Sequence, residues 1–199
     1  DRRLGVHAAA AAGADVVVMD DGFQNPQLQK HLSLVVVDGT RAFGNGQVFP
    51  AGPMREPVRS GLGRAQGVIV MQRDLDQPVR PAALAGFAGP IFDAALRPLA
   101  PPPPGPLLAF AGIADPAKFF DTLARAGGQV AASVPYADHH PYSAQELTWL
   151  ARYAADFSAT LITTEKDWVR LPPDWRGRIA FLPVVAQFAD PAPLATLLQ

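Results

Sequence analysis

Three groups of ionisable side chains in this sequence each follow a short apolar run. They are Asp20-Asp21, Asp138-His139-His140 and Thr163-Thr164-Glu165-Lys166-Asp167. Short apolar runs bounded by small residues are typical of strands buried in a parallel sheet. Because α/β proteins assemble their sites at the carboxyl ends of such strands, we expect all three groups to contribute to an active site.

The first group has the residue types of a Mg²⁺–phosphate site. Three valines and a methionine precede Asp20 and Asp21, and Gly22 ends the run. Carboxylates at the end of a buried strand are typical of a Walker B-type metal site. The structural alternative is a turn, which Asp before Gly often opens. No G-x-x-x-x-G-K-S/T phosphate loop accompanies the pair in this sequence.

The other candidates supply a base and two cations. His139 suits a general base, a proton shuttle or a metal ligand, with Asp138 to orient it, or it is a surface histidine bonded to backbone. Lys166 suits a phosphate contact, or it is a solvated charge. Arg55 and Glu56 lie in a long loop rich in Gly and Pro. They form either a phosphate contact with a further Mg²⁺ carboxylate or a surface ion pair.

The composition is that of a globular protein. The chain has 199 residues, of which 49% are hydrophobic and 18% charged, so it can bury a sizeable core. The formal net charge of −1 and the lack of a basic tract argue against nucleic-acid binding. The absence of Cys excludes disulfides, thiolate metal sites and a Cys nucleophile. No apolar run has the length of about eighteen residues that a transmembrane helix needs.

Hydrophobic periodicity and turn residues predict an α/β chain. The predicted strands are residues 16–19, 32–38, 67–71, 107–111, 129–135, 159–163 and 179–185, and the predicted helices are residues 7–13, 115–126 and 143–155. Residues 22–31 are expected to hold one or two helical turns, and residues 90–99 an extended edge segment.

A run of four prolines, residues 101–104, marks the clearest boundary, because no helix or central strand passes through such a run. We therefore predict one domain over residues 1–99 and a smaller α/β lobe over residues 100–199. The extended segments near residues 90–99 and 179–185 flank the small α/β unit, which predicts a pair of hinge strands.

Blocks of sequence spread along the whole chain closely resemble the tetraacyldisaccharide 4'-kinases, the lipid A 4'-kinases of Gram-negative bacteria. The blocks are Asp20-Asp21-Gly22-Phe23-Gln24, Arg41-x-Phe43-Gly44-Asn45-Gly46, Pro50-Ala51-Gly52-Pro53-Met54-Arg55-Glu56, Phe110-Ala111-Gly112-Ile113, Ala137-Asp138-His139 and Thr163-Thr164-Glu165-Lys166-Asp167. The resemblance implies a P-loop kinase-like three-layer α/β sheet followed by a smaller α/β lobe. It also implies transfer of the γ-phosphate of ATP, with Mg²⁺, to the 4'-hydroxyl of a tetraacylated glucosamine disaccharide, at the cytoplasmic face of the inner membrane.

The resemblance also implies roles for single residues. Asp20 and Asp21 would serve Mg²⁺ and the ATP phosphates, and Glu56 would be a further acidic residue near the metal. His139 would activate the sugar hydroxyl together with an aspartate base, with Asp21 as the second catalytic candidate. Asp20, Arg55 and Lys166 are the predicted contacts to ATP.

By the same resemblance, three family features lie upstream of residue 1. They are the Walker A loop, a segment that makes peripheral contact with the membrane, and the aspartate that partners His139. The first domain would then be an incomplete, C-terminal portion of the kinase domain, and we expect this chain on its own to be inactive.

Two other functions fit parts of the pattern. A Mn²⁺-dependent phosphoesterase would use the Asp138-His139-His140 triplet with Asp20 and Asp21, although such a site favours more histidines and a spaced Asp-x-Asp. A non-catalytic module that binds a nucleotide or a partner is the third interpretation.

Overall fold

The structure is a computed structural model that describes residues 1–199. In chain order its elements are α1 (Arg2–Ala11), β1 (Leu34–Asp38), α2 (Val58–Leu62), β2 (Gly67–Gln72), β3 (Ile91–Pro98), β4 (Pro106–Ala111), α3 (Pro116–Arg125), β5 (Gln129–Pro135), α4 (Ala144–Asp156), β6 (Thr160–Thr164), α5 (Glu165–Trp168), α6 (Pro173–Arg176), β7 (Ala180–Leu182), β8 (Val184–Phe188) and α7 (Ala192–Leu197). The chain forms two compact units, Asp1–Ala95 with Gln187–Gln199, and Leu96–Ala186.

The chain contains two four-stranded sheets, and the first has the strand order β1-β2-β3-β8. Strands β1, β2 and β3 are parallel, with Val36 opposite Ile69 and Ile69 opposite Phe92. Because the side chains of a strand alternate between faces, β1 and β2 bury Val37, Val68 and Val70 on a common core with Leu84. The loop that carries Arg55 and Glu56 runs between β1 and β2.

The second unit is a three-layer α/β structure. Its sheet has the order β5-β4-β6-β7, and all of its strands are parallel. Residues 107–111 of the central strand β4 are all fully buried, as expected of a parallel strand covered on both faces. Leu108 and Phe110 pack with the α4 residues Leu147 and Leu150. On the opposite face, Leu107, Ala109 and Ala111 pack with the α3 residues Phe119 and Leu123.

Helix α4 begins at the capping box that the sequence predicts. The Ser143 side chain accepts a hydrogen bond from the Glu146 backbone N–H at 3.2 Å. The Glu146 carboxylate accepts hydrogen bonds from the Ser143 backbone N–H at 2.8 Å and from its hydroxyl at 2.7 Å. Two backbone N–H groups at the helix start are therefore satisfied by side chains, which fixes the point where the preceding loop ends.

Because of this capping box, we predict that the stability difference between the wild type and the Glu146→Gln variant depends on pH. The hydrogen bonds from Ser143, and then the one from His140, lower the pKa of Glu146 below 4.5. Because the pKa of Glu146 is lower in the folded state than in the unfolded state, the ionised carboxylate stabilises the fold at pH values above the unfolded pKa. This stabilisation is lost as the pH falls through the folded pKa. Glu146→Gln should therefore unfold at lower urea concentration than the wild type above about pH 5, and this gap should close as the pH falls below 4.5. A gap that stays constant through this range would contradict the assignment.

Most of the predicted strands and helices are confirmed. The predicted strands at residues 32–38, 67–71, 107–111, 129–135 and 159–163 correspond to β1, β2, β4, β5 and β6, and the three predicted helices overlap α1, α3 and α4. None of the helices combines the length and the apolar character that crossing a bilayer requires.

The predicted first strand, residues 16–19, is wrong. These residues form neither helix nor strand, and Val16 and Val18 are 78% and 90% exposed. A parallel strand is held by hydrogen bonds to its neighbours, and neither sheet places a strand beside this run. Valine favours strands because its side chain packs well on a pleated sheet. Residues 16–19 have no neighbouring strand to form such a sheet, so their valines do not make them a strand.

The expected helical turns within residues 22–31 are also wrong, because this segment forms turns. The Asn25 side chain accepts a hydrogen bond from the Gln27 N–H at 2.8 Å. This local bond offers the backbone an alternative to the helix, and Pro26 further lacks the N–H that a helix interior would use.

Two further expectations need correction. The predicted edge segment at residues 90–99 contains β3 (Ile91–Pro98), which lies between β2 and β8 and is not an edge. The predicted strand at residues 179–185 is two strands, β7 and β8, in different sheets. Pro183 separates them, because it has no N–H to donate to a sheet. The division at residues 99/100 and the hinge role of these segments stay predictions.

Candidate active site

In the first unit, the predicted site residues Asp21 and Arg55, which come from two separate sequence blocks, form an ion pair. Arg55 donates to Asp21 through both terminal nitrogens, at 2.9 Å and 3.0 Å. Both side chains are more than 60% exposed. The hydrogen bonds and charge of Arg55, with a smaller effect of Arg2, lower the pKa of Asp21. Asp21 also has a positive φ of 50°, a backbone conformation that few residues other than glycine adopt.

Glu56 joins the same two blocks at a second point. Arg64 donates to both of its carboxylate oxygens at 2.7 Å and 2.8 Å, and Gln24 donates to Oε1 at 3.1 Å. The Arg64 hydrogen bonds lower the pKa of Glu56. The Arg64 guanidinium also lies 5.1 Å from the ring centre of Phe23. Phe23, Gln24 and Glu56 line one cavity, of about 220 Å³, together with residues of β1.

The predicted metal ligands are not gathered into a cluster. Asp20 is exposed, Asp21 is paired with Arg55, and Glu56 is paired with Arg64. No group of three or more His, Asp or Glu side chains is placed so that it could hold a metal ion. Metal binding by Asp20, Asp21 and Glu56 thus stays a prediction.

The second unit brings together His139, Asp138 and Lys166. His139 Nε2 lies 3.8 Å from one carboxylate oxygen of Asp138, and Lys166 Nζ lies 3.8 Å from the other. The three residues follow β5 and β6, on either side of β4. All three side chains are at least 40% exposed, so they are accessible to a substrate. His139 has a positive φ of 59°, a backbone conformation that few residues other than glycine adopt.

His140 has a structural environment. Its Nε2 lies 2.9 Å from Glu146 Oε1, and its ring stacks on Tyr136 at a centroid distance of 4.5 Å. Tyr142 contacts the same ring edge-on at 5.1 Å. The side chain thereby packs the loop against the start of α4. The sequence signal for this role is the adjacent capping box, which supplies Glu146 as a partner.

Asp167 is buried and connects the start of α5 to the residue that follows β4, although its charged neighbours in sequence are typical of a solvated segment. Its side chain is 0% exposed. Its Oδ2 accepts hydrogen bonds from the Gly112 backbone N–H at 2.9 Å and from the Thr164 hydroxyl at 2.8 Å, and its Oδ1 is paired with Arg170. The Thr164-x-x-Asp167 capping pattern marks the start of α5, where Thr164 accepts from the Asp167 N–H at 3.0 Å, but it gives no signal for the burial of Asp167.

The hydroxyl of Tyr142 lies in the same buried region. It makes no hydrogen bond of ordinary geometry, and burial together with the negative charge of Asp167 raises the pKa of Tyr142 far above its usual value. The phenol therefore stays neutral throughout the physiological range and does not act as a base.

Gly112 is a point of close approach between β4 and the loop of His139. A β-carbon at this position would lie 2.9 Å from the Tyr142 hydroxyl oxygen, 3.1 Å from His140 Cβ and 3.2 Å from the Ala137 carbonyl oxygen. Two of these contacts involve atoms that cannot rotate away. The residue after β4 is therefore restricted to glycine by space.

Gly112→Ala should consequently destabilise the fold by roughly 1–3 kcal/mol, the usual cost of overpacking. Thermal unfolding measures this loss. Gly177→Ala is the matched control, because a β-carbon at that position, at the end of α6, would have no atom within 4 Å. The control should stay within about 0.5 kcal/mol of wild type. Equal effects of the two substitutions would contradict the close approach.

Comparison with known proteins identifies the family. The sequence profile described as "LpxK: Tetraacyldisaccharide-1-P 4'-kinase" matches residues 1–199. The chain belongs to this family. This assignment confirms the resemblance that the sequence blocks carry, and the structure shows two of those blocks in contact through Asp21 with Arg55 and through Gln24 with Glu56.

Relatives in the tetraacyldisaccharide 4'-kinase family are similar over nearly the whole chain. The "Tetraacyldisaccharide 4'-kinase" of Maricaulis maris (strain MCS10) is 51% identical over 202 residues, which cover 100% of this chain and 59% of the relative. The protein of the same name from Hyphomonas neptunium (strain ATCC 15444) is 52% identical over 191 residues, which cover 96% of this chain and 56% of the relative. The chain thus spans less than two thirds of the length of either relative.

A solved structure confirms the predicted α/β fold class. It is the crystal structure of the "apo" form of LpxK from Aquifex aeolicus in complex with ATP, and it superposes with a TM-score of 0.70. The match covers 98% of this chain and 60% of that protein at 21% sequence identity. This chain therefore shares the α/β fold of that protein.

Proposed function

We propose that the intact protein that contains this chain is an ATP-dependent kinase that phosphorylates the 4'-hydroxyl of a tetraacylated glucosamine disaccharide, the lipid A precursor. The observation that carries the proposal is the match of residues 1–199 to the tetraacyldisaccharide 4'-kinase family. The Aquifex aeolicus relative was solved with ATP, which supports ATP as the phosphate donor. The place of action would be the cytoplasmic face of the inner membrane.

Asp20 and Asp21 have the donor chemistry that Mg²⁺ requires. Mg²⁺ prefers oxygen ligands and is usually held by one or two carboxylates together with waters and substrate phosphates. Asp20 is exposed. Asp21 and Glu56 each accept hydrogen bonds from an arginine on both oxygens, but the Asp21 side chain is 62% exposed and that of Glu56 only 21%. We therefore assign the ion to the two aspartates first. When bound, Mg²⁺ would neutralise the charge of the ATP phosphates.

Arg55 and Lys166 are the proposed cationic contacts to ATP. Arg55 presents a planar pair of donors that suits a phosphate as well as the carboxylate of Asp21. Lys166 is a mobile point charge with a side chain that is 55% exposed. Release of Arg55 from Asp21 costs little, because an ion pair exposed to this degree contributes little stability.

His139 is the proposed base for the acceptor hydroxyl. The imidazole would take the proton of the sugar hydroxyl as the oxygen attacks the γ-phosphorus, and ADP would leave with the electrons of the broken P–O bond. Asp138, 3.8 Å from Nε2, would stabilise the imidazolium that forms. A base held in this way contributes roughly 10²–10⁴-fold to the rate.

The environment of His140 argues against the phosphoesterase alternative, which would use the triplet Asp138-His139-His140 as metal ligands. His140 is held between Tyr136, Tyr142 and Glu146, so it is already occupied as a structural side chain. A metal site there would have to break these contacts.

A transfer assay on the intact protein tests the proposal. Incubation with γ-labelled ATP, Mg²⁺ and the acylated disaccharide should move label to the lipid, and the disaccharide with a blocked 4'-hydroxyl is the control acceptor. Mn²⁺-dependent cleavage of a phosphodiester, with no transfer, would favour the phosphoesterase. Binding of ATP without turnover would favour the non-catalytic module.

A further inference from the structure

The buried carboxylate of Asp167 and the guanidinium of Arg170 act on the peptide groups of a single residue, Gly112. Asp167 Oδ2 accepts the hydrogen bond of the Gly112 N–H at 2.9 Å. Arg170 Nη2 donates to the Gly112 carbonyl oxygen at 3.2 Å and is also paired with Asp167 Oδ1. The ion pair therefore holds both polar groups of Gly112, directly beyond the carboxyl end of β4.

The same carbonyl oxygen also holds His139. The His139 backbone N–H donates to it at 3.0 Å, so the two acceptor positions of one oxygen serve Arg170 and His139. Because His139 has a φ of 59°, which is unfavourable for a residue with a β-carbon, surrounding contacts must maintain its conformation. The His139 N–H also donates to Asp138 Oδ1 at 3.0 Å, within the same turn, and the bond to Gly112 is the one that ties this turn to another part of the chain.

Arg170 reaches a second residue of the site. Its Nε donates to the carbonyl oxygen of Lys166 at 3.2 Å. His139 and Lys166 both lie beside the carboxylate of Asp138, at 3.8 Å each. One guanidinium group thus contacts the backbone of Lys166 directly and is linked to the backbone of His139 through the Gly112 carbonyl oxygen.

The cost of burying this pair indicates a role beyond stability. A buried ion pair gains little net free energy over a well-packed apolar pair of similar volume, because both charges lose their hydration. The side chain of Asp167 is fully buried and that of Arg170 is 29% exposed. What an apolar pair would not supply is the set of directed hydrogen bonds to Gly112, Thr164 and Lys166.

We propose that Asp167 and Arg170 are positioning residues that set the geometry of His139 and Lys166 through the backbone of Gly112. This proposal rests on the proposed function in that it takes His139 to be the base. Neither Asp167 nor Arg170 contacts substrate in it. Their effect is to hold the imidazole and the ammonium group where the reaction needs them, and a small displacement of such groups costs about 10²-fold in rate.

Arg170→Lys is the most informative variant. Lysine keeps the positive charge beside Asp167, but its single nitrogen cannot reach Asp167, Gly112 and Lys166 together. In the intact protein, kcat should fall by roughly 10²-fold because His139 is displaced, and KM for ATP should rise because Lys166, a proposed ATP contact, is displaced with it. Asp167→Asn should act in the same direction, and Arg125→Lys, in the surface pair with Asp121 on α3, is the matched control with unchanged kcat.

An activity-independent measurement accompanies the kinetics. Hydrogen exchange of the His139 amide, followed by NMR in the intact protein, should accelerate by about tenfold or more in Arg170→Lys and stay unchanged in Arg125→Lys. A purely stabilising role would lower the unfolding temperature without a selective effect at His139. Unchanged exchange at His139, with unchanged kcat in an active enzyme, would overturn the proposal.

The two measurements separate this proposal from the proposed function. If the wild-type protein transfers no phosphate, the kinase assignment fails and the exchange at His139 still tests the positioning. If the wild type is active and both readouts of Arg170→Lys match those of Arg125→Lys, the positioning fails and the kinase assignment stands.

Discussion

Replacing His139 by alanine should lower kcat for phosphate transfer by roughly 10²–10⁴-fold in the intact protein, the usual contribution of a positioned general base. The side chain is 68% exposed and its ring fills no core space, so the unfolding temperature should not fall. KM for ATP should stay within about twofold, because the imidazole is assigned to the acceptor hydroxyl.

His7→Ala is the matched control for this substitution. It removes an exposed imidazole from α1 and should leave kcat unchanged. If His139→Ala retains wild-type kcat, another group takes the proton. If it loses activity only through a raised KM for ATP, the histidine contacts the nucleotide instead.

The second large effect is expected at Asp20. Asp20→Asn keeps the shape of the side chain but removes the negative charge proposed to bind Mg²⁺. Loss of one such electrostatic contact should lower kcat/KM by roughly 10²–10³-fold. The Mg²⁺ concentration that gives half-maximal rate should rise by about tenfold or more, because the remaining ligands bind the ion less tightly.

Asp15→Asn makes the same chemical change at an exposed aspartate earlier in the same segment and is the matched control. A titration with Mg²⁺ at saturating ATP distinguishes a metal ligand from a residue with another role. An Asp20→Asn enzyme with a reduced rate but the wild-type Mg²⁺ requirement would remove Asp20 from the metal site.

The second unit is largely predictable from sequence, for reasons that are local. The apolar run of β4 needs burial on both faces, and this requirement alone specifies a central parallel strand. The capping box of Ser143 and Glu146 marks the start of α4 within a single short motif. Local patterns of this kind predict structure correctly because the residues that form the pattern also make the interactions that determine the strand or the helix start.

The failures concern partners that lie far away in sequence. The run at residues 16–19 has the composition of a buried strand, but composition does not supply a neighbouring strand, and the valines are exposed. The break at Pro183 could have been recognised from its missing N–H alone. The central position of β3 depends on pairings with β2 and β8 on its two sides, and the pattern of residues 90–99 alone does not show whether one or both sides are paired.

The candidate site shows the same division. Position after a strand selects His139 and Lys166, which the structure places beside Asp138, but Asp21 follows no strand and is brought to Arg55 by a contact between two loops. The burial of Asp167 is not predictable in this way, because a charged residue next to Glu165 and Lys166 is usually solvated. Its partners, the N–H of Gly112 and the guanidinium of Arg170, come from separate elements and become visible only in three dimensions.

The position of the transferred phosphate is the decisive property of the product. After reaction of the intact protein with ATP, Mg²⁺ and the acylated disaccharide, two-dimensional ¹H–³¹P NMR of the purified lipid correlates the new phosphorus with the sugar proton beside it. We expect a single new phosphomonoester coupled to the proton at the 4'-carbon, formed in step with ADP. A phosphate at any other position, or ADP formed with inorganic phosphate and an unchanged lipid, would contradict the proposed 4'-kinase activity.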